Sequence, residues 1–287
     1  MRIGADSQRT GRGLAAPPLA RRRLLALPLL AVLPAEGLTQ GLTQGLTQGG
    51  LVIGRVAPGT RLALDGRALR VGPGGEYAFG LGRDHGPEAV LTVTPPSGRP
   101  EAQRLEVAKR DWPVQSITGL PPKQVTPDAT ALRRIKLERE RLATARATDS
   151  ALTDFAAGFV LPTHGRVSGV FGSQRILNGE PRQPHYGFDI AAPAGTPIVA
   201  ACDGTVTLAA EFFFFGRLIV LDHGHGVNTL YAHCSAIGVR EGQRVEAGQH
   251  IGAVGATGRV TGPHLHFGLS WFATWLDAQP VLPSVTG

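Results

Sequence analysis

His264-Leu265-His266-Phe267-Gly268-Leu269 sets two imidazoles and three apolar side chains on alternate positions. Residues i and i+2 of a strand point to the same face. The spacing therefore predicts a strand that sends His264 and His266 into one cavity and turns Leu265, Phe267 and Leu269 to an apolar face, the pattern of a half-buried strand. Upstream, His185-Tyr186-Gly187-Phe188-Asp189-Ile190 places a histidine and a carboxylate in a stretch that Pro184 and Gly187 keep from being helical. It reads as a loop entering a strand. His233 closes the run Val227-Asn228-Thr229-Leu230-Tyr231-Ala232-His233, which follows Arg217 to Asp222 across the turn His223-Gly224-His225-Gly226. That is a hairpin pattern and makes His233 a strand-end residue able to face a site.

A catalytic zinc takes three protein ligands from His and Asp/Glu and keeps a fourth position for water. His185 and Asp189 can supply two of them, and either histidine of the His264–His266 pair the third. A single His-x-x-x-Asp pair is weak evidence, and a lone histidine is more often structural. Two imidazoles side by side on a strand bury poorly without a role, and both motifs together point to a metal site.

The motifs His185-Tyr186-Gly187-Phe188-Asp189-Ile190-Ala191, Gly195-Thr196-Pro197-Ile198-Val199-Ala200, Tyr231-Ala232-His233, Gly248-Gln249-His250-Ile251-Gly252 and Thr261-Gly262-Pro263-His264-Leu265-His266-Phe267 follow one another in order. Over residues 160–283 the chain resembles the lysostaphin/LytM-type zinc endopeptidases, which cut peptidoglycan peptides. The resemblance implies one zinc per chain, held by His185, Asp189 and His266, with His233 and His264 as catalytic histidines beside it. It implies peptidoglycan stem peptides as substrate. Gly268 stands where family members often carry Glu, and Cys234 where Leu often follows Tyr-Ala-His. Neither position is a ligand, so these departures bear on groove shape and specificity.

Amide hydrolysis needs an activated water and a polarised carbonyl, and zinc supplies both. The chain has no His-Glu-x-x-His helix to provide a glutamate base, so a histidine must serve. His264, on the strand of His266, is the better candidate base. His233 is placed to hydrogen-bond the oxyanion or help protonate the leaving amine. Two other readings compete. One is a catalytically silent member of the family that binds and activates another wall hydrolase. The other is a wall-binding protein with a structural zinc, although structural sites normally close with four protein ligands.

The rest of the chain sets the context. Its 287 residues suffice for about two domains. A net charge of +7 suits nucleic acid, membranes or an anionic polymer such as bacterial cell wall. No nucleic-acid module is recognisable. Arg21-Arg22-Arg23 before the apolar run Leu24–Leu33 reads as an export signal over residues 1–35, too short to span a membrane. The expected location is periplasmic or extracellular, with no stable transmembrane anchor after processing. Oligomeric state is not legible.

Residues 36–50, built on three Gly-Leu-Thr-Gln repeats, read as a flexible tether. Short strand-like runs between turn signals over 51–110 predict a small β-sandwich-like domain, with His85 alone at its surface. Residues 111–157 hold an irregular Pro-rich segment and a connector helix opening at Thr126-Pro127, with Thr126 as cap. A lid over the catalytic groove is the sharper reading of that helix. Residues 158–287 are expected to form an antiparallel β-sheet peptidase domain, making the chain mainly β. Phe212-Phe213-Phe214-Phe215 is either core packing or the rim of a groove. Cys202 and Cys234 are expected as buried thiols, a disulfide being the alternative. His164, His223, His225 and His250 lie in turns and are expected to face solvent.

Overall fold

The computed structural model describes residues 45–119 and 127–284. The expected export signal, the first two Gly-Leu-Thr-Gln repeats and Thr126 lie outside the described residues. Among the described residues the fold is mainly β, with largely antiparallel sheets and one long helix. No described helix is long and apolar enough to cross a membrane.

The first six strands are β1 (Leu51–Arg55), β2 (Arg61–Leu64), β3 (Arg67–Leu69), β4 (Glu76–Gly80), β5 (Glu88–Thr94) and β6 (Glu101–Glu106). β1 pairs with β4, and a four-stranded sheet runs β3-β2-β5-β6. In β5, Ala89, Leu91 and Val93 are buried while Glu88 and Val90 are exposed. The turn Asp65-Gly66 between β2 and β3 has positive φ at both residues, the conformation a two-residue hairpin requires and Asp-Gly accepts. The third Gly-Leu-Thr-Gln repeat is not a tether. Thr47 bridges to Ala108, and the Gln48 side chain donates to the His85 carbonyl oxygen and accepts from the Arg110 backbone N–H. The backbone partners offered by residues 85 and 108–110 hold it in place.

The Pro-rich segment is not wholly irregular either. β7 (Val114–Ile117) runs parallel to β9 (Gln174–Leu177), on the edge of the hairpin that β9 makes with β10 (Glu180–Pro181). Its order comes from a distant edge with free backbone groups, which no local pattern announces. The helix α1 spans Ala129–Arg146, and its cap is Asp128, whose side chain accepts from the Ala131 N–H at 2.8 Å. A carboxylate that reaches the third helical N–H displaces the expected Thr126 cap.

The remaining strands are β8 (Arg166–Gly169), β11 (Phe188–Ala191), β12 (Pro197–Val199), β13 (Gly204–Phe212), β14 (Gly216–Asp222), β15 (Val227–Cys234), β16 (Ala236–Ile237), β17 (Arg244–Val245), β18 (His250–Ala253), β19 (His264–Trp271) and β20 (Thr274–Leu276). An eight-stranded sheet runs β17-β13-β14-β15-β19-β11-β8, with β20 beside β19. β12, β18 and β16 form a smaller sheet. The large sheet is covered on both faces. One face, with Leu265, Phe267 and Leu269, belongs to the main core. The other carries Leu218, Val220, Leu230 and Ala232, on which Leu142 and Ala145 of α1 pack.

The main core runs without a break from the strands of residues 51–106 into the large sheet. At the junction a Cβ on Gly80 would lie 2.8 Å from Leu276 Cδ1 and 2.8 Å from the Trp271 Cβ. Arg110 pairs with the buried Asp277 at 2.8 Å across the same seam. Leu276→Ala should therefore cost about 2–5 kcal/mol, and both sheet regions should melt in one transition. Calorimetry that resolves two separate transitions would contradict the shared core.

Candidate active site

Adjacent strands β15, β19 and β11 position the site. His266 pairs with Asp189 on one side and Ala232 on the other. Residues directly opposite in antiparallel strands share a face, so His266 and Asp189 stand on the α1 side of the sheet, opposite the core-facing Leu265 and Phe267. His185 approaches from the loop before β11. His185 Nε2 lies 3.0 Å from Asp189 Oδ1 and 3.0 Å from His266 Nδ1, and His266 Nδ1 lies 2.8 Å from Asp189 Oδ1. These donor atoms all fall within 4.8 Å of one another, and all three residues are buried.

The set suits a divalent cation such as zinc. His185 Nδ1 sits 3.0 Å from the Val170 carbonyl oxygen, which accepts its proton and leaves Nε2 as a lone-pair donor. Burial pushes His266 down to about 4 against the pull of Asp189, so its ring is neutral at pH 7, as a ligand must be. Burial alone would raise Asp189, but the His185 and His266 imidazoles against its carboxyl hold it well below the usual carboxylate range. Two neutral nitrogens and one carboxylate oxygen, pressed together out of water, form a donor set that a cation relieves.

His233 and His264 border this cluster. Their ring centroids are 4.9 Å apart, and His233 lies 5.8 Å from His266. His233 Nδ1 is 2.8 Å from the Thr257 carbonyl oxygen and His264 Nδ1 is 2.9 Å from that of Gly262. A carbonyl only accepts, so each contact puts the proton on Nδ1 and leaves Nε2 open as an acceptor. Burial, with His266 and His264 close by, pushes His233 well below the ordinary imidazole range. The pairing of β14 with β15 shifts register between Ile219 and Arg217, and His233 adopts φ +64 there. The irregularity turns a residue that simple alternation would place differently. Its backbone N–H donates to the Phe215 carbonyl oxygen at 2.8 Å.

A cavity of about 630 Å³ opens onto His185, His233 and His266. Leu132, Ile135 and Arg139 of α1 line it from across, so the helix faces the site rather than merely linking two domains. The aromatic run divides. Phe212 is buried against α1 and borders the cavity, while the less buried Phe214 and Phe215 also line it, with the Phe215 ring 6.0 Å from His266. On β19, a Cβ at Gly268 would lie 3.0 Å from Trp275 Cζ3, so that indole occupies the space beside it.

The sequence reading missed other contributors. Arg175 Nη2 contacts Asp189 Oδ2 at 3.2 Å, and the Asn178-Gly179 turn signal was available to place its hairpin. Gly187 matters by size as well as by breaking a helix, since a Cβ there would overlap the His266 ring. His223 and His225 are buried, contrary to expectation, because residues 150–159 pack over their turn. His223 is 0% exposed, with Nδ1 2.6 Å from the Asp203 carbonyl oxygen and Nε2 2.7 Å from Thr229 Oγ1. His225 packs against Phe155. His164 and His250 are exposed, and His85 is half-buried. Cys202 and Cys234 are free, buried thiols, each pushed up to about 12, mainly by burial.

Comparisons with known proteins meet at this site. Residues 183–281 match the family described as peptidase family M23. The chain is 44% identical over 105 residues to the peptidoglycan DD-endopeptidase ShyA of Vibrio cholerae, covering 36% of this chain and 24% of that protein. It is 42% identical over 118 residues to the DD-carboxypeptidase/endopeptidase Mpg of Neisseria meningitidis, covering 41% and 26%. The chain thus spans about a quarter of the length of these curated relatives. A crystal structure from Pseudomonas aeruginosa, described as a peptidase M23, superposes with a TM-score of 0.66 at 28% identity, covering 85% of this chain and 97% of that one.

Two outcomes test the geometry. Gly187→Ala should displace the His266 imidazole and lower zinc content, measured by elemental analysis, while far-UV circular dichroism stays unchanged. His223, pushed down to about 4 mainly by burial, favours the folded state fully only above its unfolded pKa of about 6.5. Stability should fall as pH drops from about 6.5 toward 4, on the order of 3 kcal/mol for this group. Denaturant midpoints should show a smaller loss in His223→Gln, and an identical pH profile would exclude the assignment.

Proposed function

We propose, since the chain belongs to the LytM-type peptidases of family M23, that it is an exported zinc endopeptidase hydrolysing peptide cross-links of bacterial peptidoglycan. The His185–Asp189–His266 cluster, with His233 beside it on the same cavity and His264 against His233, carries this reading. The relatives named for D,D-bond cleavage favour D,D-peptide bonds over glycyl bonds as the target.

His185, Asp189 and His266 would hold the metal. When bound, zinc supplies a Lewis acid for the scissile carbonyl and a water of lowered pKa. His264, with its Nδ1 proton given to the Gly262 carbonyl oxygen, takes a proton at Nε2 from the attacking water and returns it to the leaving amine. His233, held by the Thr257 carbonyl oxygen, presents Nε2 beside it. That unprotonated nitrogen accepts a hydrogen bond from the attacking water and helps to orient it. Phe214 and Phe215 shield this side of the cavity from water, which strengthens these interactions.

Alanine at His185, Asp189 or His266 should abolish zinc binding, because each removes one of three protein ligands. Alanine at His233 or His264 should leave zinc bound and lower turnover by about 10²–10⁴-fold. Zinc content and digestion of purified sacculi, with mass spectrometry of the fragments, should be measured on the same preparations. Release of reducing-end sugars without peptide cleavage would overturn the proposal. Loss of zinc from His264→Ala but not from His266→Ala would reverse the two roles.

A further inference from the structure

One wall of the active-site cavity is lined by Arg175, Arg182 and Arg259. β9 and β10 join through Asn178-Gly179, both at positive φ. Across this hairpin the Arg182 N–H donates to the Arg175 carbonyl oxygen at 2.9 Å. The two arginines thus stand opposite each other, an arrangement that like charges disfavour. Arg259 arrives from the loop before β19. Its backbone N–H donates to the Phe214 carbonyl oxygen at 2.9 Å, and its guanidinium lies 4.2 Å from the Phe214 ring centroid. Burial and the two other arginines push Arg259 down to about 10.

The negative charges nearby are largely committed elsewhere. Asp189 Oδ2 meets Arg175, yet Asp189 is also a member of the metal cluster. Glu180 lies 3.8 Å from Arg182, whose Nη1 donates to the Pro181 carbonyl oxygen at 3.2 Å. Across the cavity, Glu138 is taken by Arg134 at 2.6 Å and by the Phe213 N–H at 2.8 Å, while Lys136 and Arg139 add positive charge and Glu140 one negative charge. Arg175 Nε is buried with no hydrogen-bond partner. A buried donor without a partner, within a repelling cluster beside the reacting centre, calls for an anion that arrives with the substrate.

We infer that Arg175, Arg182 and Arg259 form a subsite for a free carboxylate on the substrate residue that carries the leaving amine. In a D,D-peptide bond the leaving nitrogen sits on a D-centre whose own carboxyl group is on the same carbon. That carboxyl is free where the bond is a cross-link or the end of a stem peptide. An internal bond of a glycyl bridge has no such charge, because the next carboxyl is itself an amide. The inference rests on the peptidase reading for the identity of the substrate. It adds a basis for choosing among peptide bonds, in which Arg182 and Arg259 are specificity residues and Arg175 serves both the anion and Asp189.

The test uses the zinc-loaded full chain carrying His264→Ala, so that the bond survives titration. The probes are an N-acetyl peptide ending in D-alanyl-D-alanine as the free acid and the same peptide as its C-terminal carboxamide. The free acid should bind about 10–100-fold more tightly, the worth of one or two charge-assisted hydrogen bonds. Adding Arg259→Gln or Arg182→Gln should remove most of that preference while changing carboxamide affinity little. Arg182 is at the cavity rim, so its variant keeps the test valid should Arg259→Gln disturb the packing on Phe214. Equal affinity for the two peptides, or a preference intact in both variants, overturns the subsite. Hydrolysis of the same peptides by the unsubstituted chain separates the two claims. Cleavage of both at equal kcat/KM counts against the subsite alone. A binding preference for the free acid with no cleavage of either peptide counts against the peptidase reading alone.

Discussion

The register between β11 and β19 is the constraint on which the site depends. Asp189 faces His266 only because Phe188 pairs with Phe267 and Ile190 with Leu265, and those four apolar residues are buried in the main core. A slip of one residue would turn every side chain of β11 to the opposite face. The carboxylate would then enter hydrocarbon, and Ile190 would enter the cavity. Burial of the apolar face thus selects the one alignment that brings the donor atoms together. β15 completes the arrangement by pairing Ala232 with His266, after which its irregularity brings His233 forward. The hydrophobic effect, which has no direction of its own, here acts through strand alternation to fix polar geometry.

This dependence explains what could be read from the sequence. The strands that carry the site have strong local patterns. His-Leu-His-Phe alternates, Asp189 enters a strand after a glycine, and His233 closes an apolar run. The mainly β architecture was legible, and the five residues that the structure brings together each lie in such a run. Arg175, β7 and the buried histidines of the 223–226 turn were less so. Their environments are built by distant segments: Asp189 for Arg175, the β9 edge for Val114–Ile117, and residues 150–159 for His223 and His225. A turn is exposed in sequence terms only until another part of the chain covers it. The helix cap was a closer competition, since Asp128 and Thr126 are both acceptable caps and the outcome depends on where the first N–H groups point.

The second face of the sheet brings chemistry and support together. α1 packs Leu142 and Ala145 on that face and ends at the buried Arg146, whose guanidinium lies 3.5 Å from the Trp275 ring centroid and whose Nε donates to Ser270 Oγ at 3.1 Å. The same helix presents Leu132 and Ile135 to the cavity that His185, His233 and His266 line. Its two ends therefore differ in kind. The C-terminal turn is fixed by a buried cation and apolar contacts. The N-terminal half meets the open cavity. Anything that enters must share that space with α1, so the helix sets the width between itself and the His185–Asp189–His266 cluster.

The backbone of His233 has an evolutionary consequence. Histidine tolerates left-handed φ better than branched or bulky residues, but glycine adopts it at no steric cost. Replacement by glycine would therefore relax the chain locally and could even favour the folded state. A lineage released from selection for catalysis would find that substitution easy to accept and hard to notice by any measure of folding. The chain thus holds an imidazole at a backbone conformation that glycine would adopt with less strain.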